Sequence, residues 1–223
     1  MAKPAKIRSI GKITHDVLQI VLDKPEGVIY HPGQAADISI NKPGWEDQLR
    51  PFTFTSLPDA DHLEFTIKTY PERKGVTNEL LSLAKGDELL IGDVFGEIAY
   101  KGEGLFIAGG AGITPFIAIL RYLDSQGKLG NNKLMFANKT RTDIIHEKEF
   151  HELLGNNFIN VLSGENAEGY EQGYISAELI KKYVMPGKKP FFYLCGPPPM
   201  MDAVEKLLAE LSIEADRIVK EGF

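Results

Sequence analysis

The feature that most constrains the fold of this chain is a change in its sequence pattern near residue 102. Before that point the segments are short, rich in β-branched residues and separated by Pro, Gly and Asp turn signals, which is typical of antiparallel strands. After it, short apolar runs alternate with longer segments of helical periodicity, which predicts a parallel sheet covered by helices. We therefore predict two domains, residues 1–101 and residues 102–223.

The first domain is expected to be a small β-barrel. Several antiparallel strands within about 100 residues must close or stack to hide their edges. A single short helix is predicted at residues 78–83. The predicted strands are residues 6–14, 17–22, 36–40, 63–70 and 88–91.

The second domain is expected to alternate strands and helices around a parallel sheet. Such sheets bind ligands at the carboxyl ends of their strands, so we expect a ligand there. The predicted strands are residues 105–108, 133–138, 158–162, 191–195 and 217–220, and the predicted helices are residues 115–123, 147–154, 176–183 and 199–211.

Charge and cysteine content narrow the possible functions. A formal net charge of −6 disfavours nucleic acid or an anionic membrane as the main partner. One cysteine, Cys195, excludes an internal disulfide and a cysteine-ligated iron–sulfur cluster, and we predict no metal site. Because neither a secretory signal nor a membrane-spanning apolar run is recognisable, we expect a cytoplasmic protein.

A glycine-rich loop follows the first strand of the second domain. The segment Gly109-Gly110-Ala111-Gly112-Ile113-Thr114-Pro115 leads into an amphipathic helix. Glycines allow a diphosphate to approach the backbone, Thr114 suits the N-cap and Pro115 suits the first helical position. The helix start then offers unpaired N–H groups to an anion. The loop therefore predicts a diphosphate site, with an ordinary strand-to-helix turn as the alternative.

The end of the next strand bears on the choice of coenzyme. A typical NAD site places Asp or Glu there to hold the ribose 2′-hydroxyl. Here the strand ends in Asn138-Lys139-Thr140-Arg141. Lys139 and Arg141 suit a 2′-phosphate and favour NADP over NAD, with a solvated surface turn as the alternative.

A rigid elbow follows the fourth strand of the same domain. The segment Cys195-Gly196-Pro197-Pro198-Pro199 contains three prolines, which hold Cys195 and the Gly196 backbone at the carboxyl edge of the sheet. No recognisable nucleophile–base motif accompanies Cys195, so a covalent cysteine mechanism is not expected.

One segment of the first domain combines a cation, a flat ring and a hydroxyl. Arg50 could bind phosphate in a forked geometry, Phe52 could stack on a planar ligand, and Thr53 could bond to a ring nitrogen. An edge strand with an exposed Arg and core aromatics is the alternative. Alternation along the segment places Arg50, Phe52 and Phe54 on one face and Pro51, Thr53 and Thr55 on the other.

A second small-residue turn lies later in the same domain, after Lys68 and Tyr70. Gly75 and the amides that follow it could hold a diphosphate, and Thr77 adds a hydroxyl. Two phosphate-type loops in two domains indicate two nucleotide-like ligands that meet at a cleft, as a flavin and a nicotinamide do.

Taken in order, these motifs resemble those of the ferredoxin–NADP reductase superfamily over nearly the whole chain. The matching segments are Pro32-Gly33-Gln34, Arg50-Pro51-Phe52-Thr53, Gly75-Val76-Thr77, Gly86-Asp87, Gly109 to Pro115 and Cys195 to Met200. The resemblance implies a six-stranded antiparallel flavin-binding β-barrel followed by a five-stranded parallel-sheet NADP-binding α/β domain. It also implies tightly bound FAD, with NADP(H) as co-substrate.

The resemblance also implies roles for individual residues. Phe52 would lie against the isoalloxazine where the family often has Tyr, and Thr53 would hydrogen-bond flavin N5. Phe223 would cover the flavin until nicotinamide displaces it. The implied catalytic residues are Thr53, Cys195 and Glu221. The implied cofactor-binding residues are Arg50, Pro51, Phe52, Thr53, Thr66, Lys68, Tyr70, Gly75, Val76, Thr77, Gly110, Gly112, Ile113, Thr114, Lys139, Arg141, Cys195, Gly196 and Phe223.

The activity implied by the resemblance is that of an FAD-dependent oxidoreductase. Hydride would pass from NADPH to the flavin, and single electrons would pass to a small carrier such as flavodoxin or ferredoxin. Two alternatives stay open, namely an NAD(P)H:flavin oxidoreductase that reduces free flavin and an electron-transfer subunit of a larger complex. We expect no nucleic-acid partner, no membrane span and no iron–sulfur cluster in this chain.

Overall fold

The structure is a computed structural model that describes residues 2–184 and 189–221. Phe223, to which the resemblance gives a flavin-covering role, lies outside the described residues. Within them, an antiparallel sheet is followed along the chain by a parallel sheet.

The antiparallel sheet closes into the predicted barrel. A bridge between Phe54, the residue after the fourth strand, and Phe65 of the fifth strand links the two edges of the sheet. Its strand order is β4-β3-β6-β1-β2-β5. The strands are β1 (Lys3–Lys12), β2 (Val17–Asp23), β3 (Ala35–Ile40), β4 (Arg50–Thr53), β5 (His62–Lys68) and β6 (Glu88–Phe95).

Apolar side chains fill the barrel and fix the segment that follows β4. Ile20, Ile38, Phe54 and Phe65 have no exposed surface. The ring of Phe54 stacks on that of Tyr30, with 3.9 Å between the ring centroids. Burial raises the pKa of the Tyr30 hydroxyl to about 12, so this contact is between uncharged rings at neutral pH. The chain just after Thr53 is therefore anchored in the core.

The short helix of the barrel begins two residues before its predicted start. Helix α1 (Val76–Glu79) continues as a 3-10 turn, Leu80–Ser82. Val76 and Leu80 are both buried in the barrel core. Because residues four apart share a helix face, burial of both side chains favours a helix that begins at Val76.

The second sheet is parallel, and its strand order is β10-β9-β8-β7-β11-β12. The five predicted strands and four predicted helices are present. A sixth strand, β10, was not predicted and extends the sheet at one edge. The strands are β7 (Gly104–Gly109), β8 (Lys133–Asn138), β9 (Phe158–Leu162), β10 (Glu171–Gln172), β11 (Phe191–Cys195) and β12 (Ile218–Val219). The helices are α2 (Thr114–Ser125), α3 (Glu147–Leu154), α4 (Ala177–Tyr183) and α5 (Pro198–Glu210).

Helix α2 lies where the two halves meet. Val17 of β2 and Ile98, which follows β6, belong to the same buried apolar cluster as Phe116 and Leu120 of α2. The loop between β6 and β7 contains the predicted domain boundary at residues 101 and 102, which stays a prediction. No helix among the described residues has the length and apolar character needed to cross a lipid bilayer.

Candidate active site

A cleft of about 230 Å³ lies where the barrel meets the loop after β7. Both halves of the chain line it, and eight of its ten lining residues belong to the predicted cofactor-binding set. Ile67 and Ala111 are the two that sequence reasoning missed, because neither carries a group that signals chemistry. The eight predicted residues are Pro51, Phe52, Thr53, Thr66, Lys68, Tyr70, Thr77 and Thr114.

A larger cavity, of about 340 Å³, lies at the other end of the parallel sheet. Its lining includes Gly104, Lys133 and Phe191, which are the first residues of β7, β8 and β11. Parallel sheets bind their ligands at the carboxyl ends of the strands, and none of the predicted site residues borders this cavity. The smaller cleft is therefore the candidate active site.

Strand β4 presents its polar side chains toward the cleft and toward solvent. Arg50 is exposed, its Nη1 donates to the carbonyl of Leu49 at 2.7 Å, and it has no ion-pair partner among the described residues. Phe52 is half-buried, packs against the barrel core and also lines the cleft. The hydroxyl of Thr53 makes no hydrogen bond within the described part of the chain. The strand thus offers a free cation, a ring and a free hydroxyl.

Strand β5 and the turn after it add positive charge. The Nζ atom of Lys68 lies 2.8 Å from a carboxylate oxygen of Asp16. Burial alone would raise the pKa of Asp16, but the hydrogen bond and charge of Lys68 outweigh it, and the pKa is lowered. The guanidinium of Arg73 lies over the ring of Tyr70, 4.6 Å from its centroid. Sequence reasoning missed Arg73, because only the fold of the 3-10 turn brings it onto Tyr70.

The second small-residue turn leaves open space beside its backbone. A Cβ atom built on Gly75 would have no neighbour nearer than the carbonyl oxygen of Arg73 at 4.0 Å. Thr77 lines the cleft, whereas the side chain of Val76 is buried in the barrel. Val76 could therefore contact a ligand only through its backbone.

The glycines of the first loop have different tasks. Gly110 has φ +51° and open space beside it, so it serves the turn and leaves room for a ligand. A Cβ atom on Gly112 would lie 2.2 Å from the carbonyl oxygen of Cys195, and one on Gly109 would lie 2.3 Å from Sδ of Met200. These two glycines allow the loop to pack against the elbow after β11, a role that the sequence did not reveal.

The predicted capping of α2 is wrong. The helix begins at Thr114 itself, and the N-cap is Ile113. Residues Gly110–Ile113 already form a 3-10 turn, so the chain enters the helix without the extended residue that a side-chain cap requires. The hydroxyl of Thr114 instead donates to the carbonyl of Ala111 at 3.1 Å. The side chain of Ile113 is fully buried, which leaves only its backbone for a ligand.

Of the three predicted catalytic residues, Cys195 and Glu221 lie close enough for the charge of Glu221 to act on the thiol. Thr53 forms no hydrogen bond to either among the described residues. Burial raises the pKa of the Cys195 thiol to about 12, and the charge of Glu221 adds to the effect. The thiol is therefore protonated at neutral pH and is a poor nucleophile. The Glu221 carboxylate accepts from the backbone N–H of Glu97 at 3.3 Å. Gly196 follows Cys195 at the carboxyl end of β11.

The two basic residues after β8 differ in their surroundings. The Nε atom and the backbone N–H of Arg141 each donate to the Glu165 carboxylate at 2.9 Å. The backbone hydrogen bond and the charge of Arg141 lower the pKa of Glu165. Lys139 has no ion-pair partner among the described residues. Of the two predicted phosphate-binding cations, Arg141 is thus paired with Glu165, and Lys139 is unpaired among the described residues.

The groups around the cleft fit a flavin dinucleotide. Arg50 and Lys68 supply positive charge for phosphates, and Phe52 and Tyr70 supply rings for a planar ligand. The open backbone beside Gly75 gives a diphosphate access to main-chain N–H groups. On the other side, Gly110 offers the same access to a second dinucleotide.

The comparisons with known proteins match two family models, one in each half of the chain. Residues 2–99 match the family model of the FAD-binding domain, and residues 106–206 match that of the oxidoreductase NAD-binding domain. The chain is therefore an oxidoreductase with an FAD-binding and a NAD-binding domain. It belongs to the ferredoxin–NADP reductase superfamily, and it transfers electrons between a nicotinamide dinucleotide, FAD and an acceptor.

Relatives and a solved structure resemble the chain over nearly all of its length. It is 31% identical to the reductase component of propane 2-monooxygenase from Mycolicibacterium goodii, over 98% of this chain and 66% of that protein. It is 28% identical to NADH-cytochrome b5 reductase 2 from Mycosarcoma maydis, over 96% of this chain and 71% of that protein. A ferredoxin NADP+ reductase from Neisseria gonorrhoeae shares the fold, with a TM-score of 0.82, 19% identity, and coverage of 100% and 99% of the two chains.

Proposed function

We propose that this chain passes hydride from NADPH to a tightly bound FAD and then single electrons to a small carrier such as ferredoxin or flavodoxin. The observation that carries the proposal is the cleft that both halves line, with Thr53 on the barrel side and Thr114 on the nucleotide-loop side. Hydride transfer requires two rings in contact, and a cleft between two nucleotide-binding domains can bring them together.

On the barrel side, each residue would have a separate task. Bound FAD would supply the conversion of a two-electron donor into single electrons. Arg50 would bind the flavin phosphates, since no carboxylate among the described residues competes for it. Thr53 would donate its free hydroxyl to flavin N5, while Phe52 would support the ring. Pro51, Thr66, Lys68 and Tyr70 would line the flavin, and Gly75, Val76 and Thr77 would hold its diphosphate.

On the other side, mostly backbone groups would bind the nicotinamide dinucleotide. Gly110, Gly112, Ile113 and Thr114 would hold its diphosphate through their N–H groups. Cys195 and Gly196 would flank the nicotinamide, with the thiol protonated and acting through contact alone. Glu221, whose charge already acts on Cys195, would place a carboxylate near the reacting rings. Phe223 keeps its predicted role as a cover for the flavin.

The preference for NADPH would be modest. Lys139 is the unpaired cation near the predicted 2′-phosphate position, whereas Arg141 must give up Glu165 to bind it. Replacing Glu165 by Gln should release Arg141 and raise the ratio of kcat/KM for NADPH over NADH, by about tenfold for 1.4 kcal/mol. Lys139→Ala should lower the same ratio. A wild-type protein that prefers NADH would contradict the choice of coenzyme but leave the flavin chemistry intact.

The class of acceptor is supported by the relatives. The propane 2-monooxygenase protein is a reductase component, and the Mycosarcoma maydis protein is a cytochrome b5 reductase. This chain spans about two thirds of the length of each relative. The proposed one-electron carrier is therefore the acceptor of the FAD- and NAD-binding part that this chain shares with them. A protein acceptor fits the names of both relatives better than free flavin does.

The proposal is tested by purifying the protein and measuring its visible absorbance and its acceptors. We expect a yellow protein with one FAD per chain that oxidises NADPH in the presence of ferredoxin, flavodoxin or cytochrome b5. A colourless protein that reduces added FAD or riboflavin, and none of the three carriers, would instead support the flavin oxidoreductase alternative. A protein that binds FAD but does not oxidise NADPH or NADH would support a subunit role.

A further inference from the structure

The side chain of Arg121, near the end of α2, is bonded to both halves of the molecule. Its Nη1 donates to the carbonyl of Thr55 at 2.8 Å and to Oε1 of Glu64 at 2.6 Å, both in the barrel half. Its Nη2 donates to Oε2 of Glu149 in α3 at 2.8 Å, and its Nε donates to Oε1 of the same carboxylate. The Arg121 side chain is only 20% exposed. One guanidinium therefore ties together β5, α2, α3 and the segment after β4.

The barrel end of this contact is rigid. Glu64 is 8% exposed, and its carboxylate also accepts from the hydroxyl of Thr55 at 2.8 Å and from the amide of Gln19 at 2.9 Å. Burial alone would lower the pKa of Arg121, but the carboxylates of Glu149 and Glu64 outweigh it and raise the pKa. Arg121 is therefore charged at neutral pH. Removing one partner of such a buried pair strands the other charge.

The two segments that Arg121 joins are those that present the cleft residues. Thr55 lies two residues after Thr53, in the segment anchored by Phe54. Thr114 lies seven residues before Arg121 in α2, which places both on one face of the helix, about 10 Å apart along its axis. Thr53 and Thr114 both line the cleft, one from each half of the chain. The guanidinium therefore joins the two segments that carry these residues.

We propose that Arg121 is a positioning residue for hydride transfer, which sets the approach of the nicotinamide-binding loop to the flavin-binding strand. The inference rests on the proposed function, because it assigns FAD to the barrel side and the nicotinamide dinucleotide to the loop side. Arg121 itself touches neither. Its effect is on the distance and angle between two rings, and an error of about 1 Å in such a geometry can cost about 100-fold in rate.

The test compares Arg121→Met with the wild type by stopped-flow reduction of bound FAD at saturating NADPH. We expect the reduction rate to fall about 100-fold, while FAD stoichiometry and the Kd for NADP+ stay within about twofold of wild type. Arg121→Lys, which keeps the charge but cannot bridge two carboxylates in a forked geometry, should recover part of the rate. Glu64→Gln tests the barrel end without changing size, and it should slow reduction even if Arg121→Met fails to fold.

A second readout is independent of activity. In calorimetry, the wild type should unfold in a single transition, and Arg121→Met should separate the unfolding of the two halves. The matched control is Arg8→Met, since Arg8 also bonds to two carboxylates, Asp23 and Asp61, but both lie within the barrel. It should change neither the reduction rate nor the number of transitions.

Three results would overturn the inference. One is an unchanged reduction rate in both Arg121→Met and Glu64→Gln. Another is a loss of FAD or NADP+ binding that accounts for the whole effect, and the third is an equal effect of Arg8→Met. If neither NADPH nor NADH reduces the FAD of the wild type, the proposed function fails together with the inference. If the wild type is reduced and the variants match it, only the role of Arg121 fails.

Discussion

The two halves of the molecule contribute to one cleft in different ways. The barrel lines it with eight residues, and all of them except Pro51 carry a polar group or a large apolar side chain. The α/β half lines it with Ala111 and Thr114 alone. In the α/β half the important positions are glycines, whose missing side chains let the loop after β7 pack on the elbow after β11. Recognition in the barrel therefore depends on side chains, and recognition in the α/β half depends on the path of the backbone.

This difference predicts different responses to mutation. In the barrel, removing a side chain subtracts one contact and leaves the strand in place. In the nucleotide loop, adding a single carbon atom displaces backbone that several contacts share. We therefore expect the largest effects from small additions in the α/β half and smaller, graded effects from truncations in the barrel.

The largest effect is expected for Gly112→Ala. The new Cβ would lie 2.2 Å from the carbonyl oxygen of Cys195, so one of the two loops must move. We expect kcat/KM for NADPH to fall by about 100-fold, with FAD content unchanged. Steady-state kinetics and the flavin absorbance of the purified variant measure the two quantities.

A matched control separates this collision from a general effect of alanine at a glycine. Gly127 has φ +63° and no neighbouring atom within 4 Å of a built Cβ. Gly127→Ala should therefore cost about 1–2 kcal/mol of stability through backbone strain and leave kcat/KM unchanged. Equal kinetic losses in the two variants would show that packing between the loops is not the reason Gly112 is required.

A smaller effect is expected for Arg50→Ala in the barrel. Loss of a charged hydrogen bond to phosphate costs about 1.5–3 kcal/mol, which corresponds to a rise in the Kd for FAD of about 10–100-fold. Equilibrium titration of the apoprotein with FAD measures this. Arg8→Ala, which removes a cation from the same barrel at a site far along the sequence, should bind FAD as the wild type does. Full FAD affinity in Arg50→Ala would remove Arg50 from the phosphate site.

Thr53→Ala should have a still smaller effect, confined to the rate of flavin reduction. Loss of one neutral hydrogen bond is worth about 0.5–1.5 kcal/mol, so reduction should slow by about threefold to tenfold while the Kd for FAD barely changes. Thr53→Ser keeps the hydroxyl and should retain the rate. If stopped-flow reduction of Thr53→Ala matches that of the wild type, the hydroxyl has no part in the reaction.

The smallest effect concerns stability at the junction of the two halves. His146 is buried beside Glu149, Arg121 and Glu64, its Nε2 has no hydrogen-bond partner among the described residues, and its φ is +54°. Burial lowers the pKa of His146 below 6.5, with Arg121 adding to the effect and the two carboxylates opposing it. Well above pH 6.5 the imidazole of His146 is neutral in both the folded and the unfolded chain. As the pH falls below 6.5, His146 gains a proton in the unfolded chain more readily than in the folded chain, so the free energy of unfolding decreases.

His146→Asn tests this expectation, because Asn tolerates a left-handed backbone and does not titrate. The free energy of unfolding, measured in urea at about pH 7.5 and pH 5.5, should drop less in the variant than in the wild type. An identical drop in both proteins would assign the acid sensitivity to other groups.

Much of the fold could be predicted from local sequence patterns. The barrel followed from period-two strands that need closure, and the parallel sheet followed from alternating strands and helices. The capping of α2 was mispredicted because the 3-10 turn at Gly110–Ile113 depends on the contact of Gly112 with Cys195, which is 83 residues away. Strand β10 was missed because its two residues are Glu and Gln, which carry no strand signal, whereas the equally short β12 is Ile-Val.

The site was predicted where its residues form contiguous motifs. Residues 51–53 are an example, since a ring and a hydroxyl stand together in the sequence and at the cleft. Arg121 was missed because its position depends on tertiary structure, and Arg73 was missed because the 3-10 turn that brings it onto Tyr70 was not predicted. Nothing in the sequence near Arg121 indicates that its partners are Glu64 in a barrel strand and Glu149 in another helix.

The most direct test of the account is anaerobic mixing of the FAD-loaded protein with NADPH deuterated at the transferring position of nicotinamide C4. We expect the visible flavin absorbance to bleach in a single turnover, and to bleach more slowly than with unlabelled NADPH, because hydride crosses the cleft to flavin N5. Flavin absorbance that does not change, or that bleaches at a rate unaffected by deuterium when chemistry limits the step, would contradict a cleft built to hold two reacting rings.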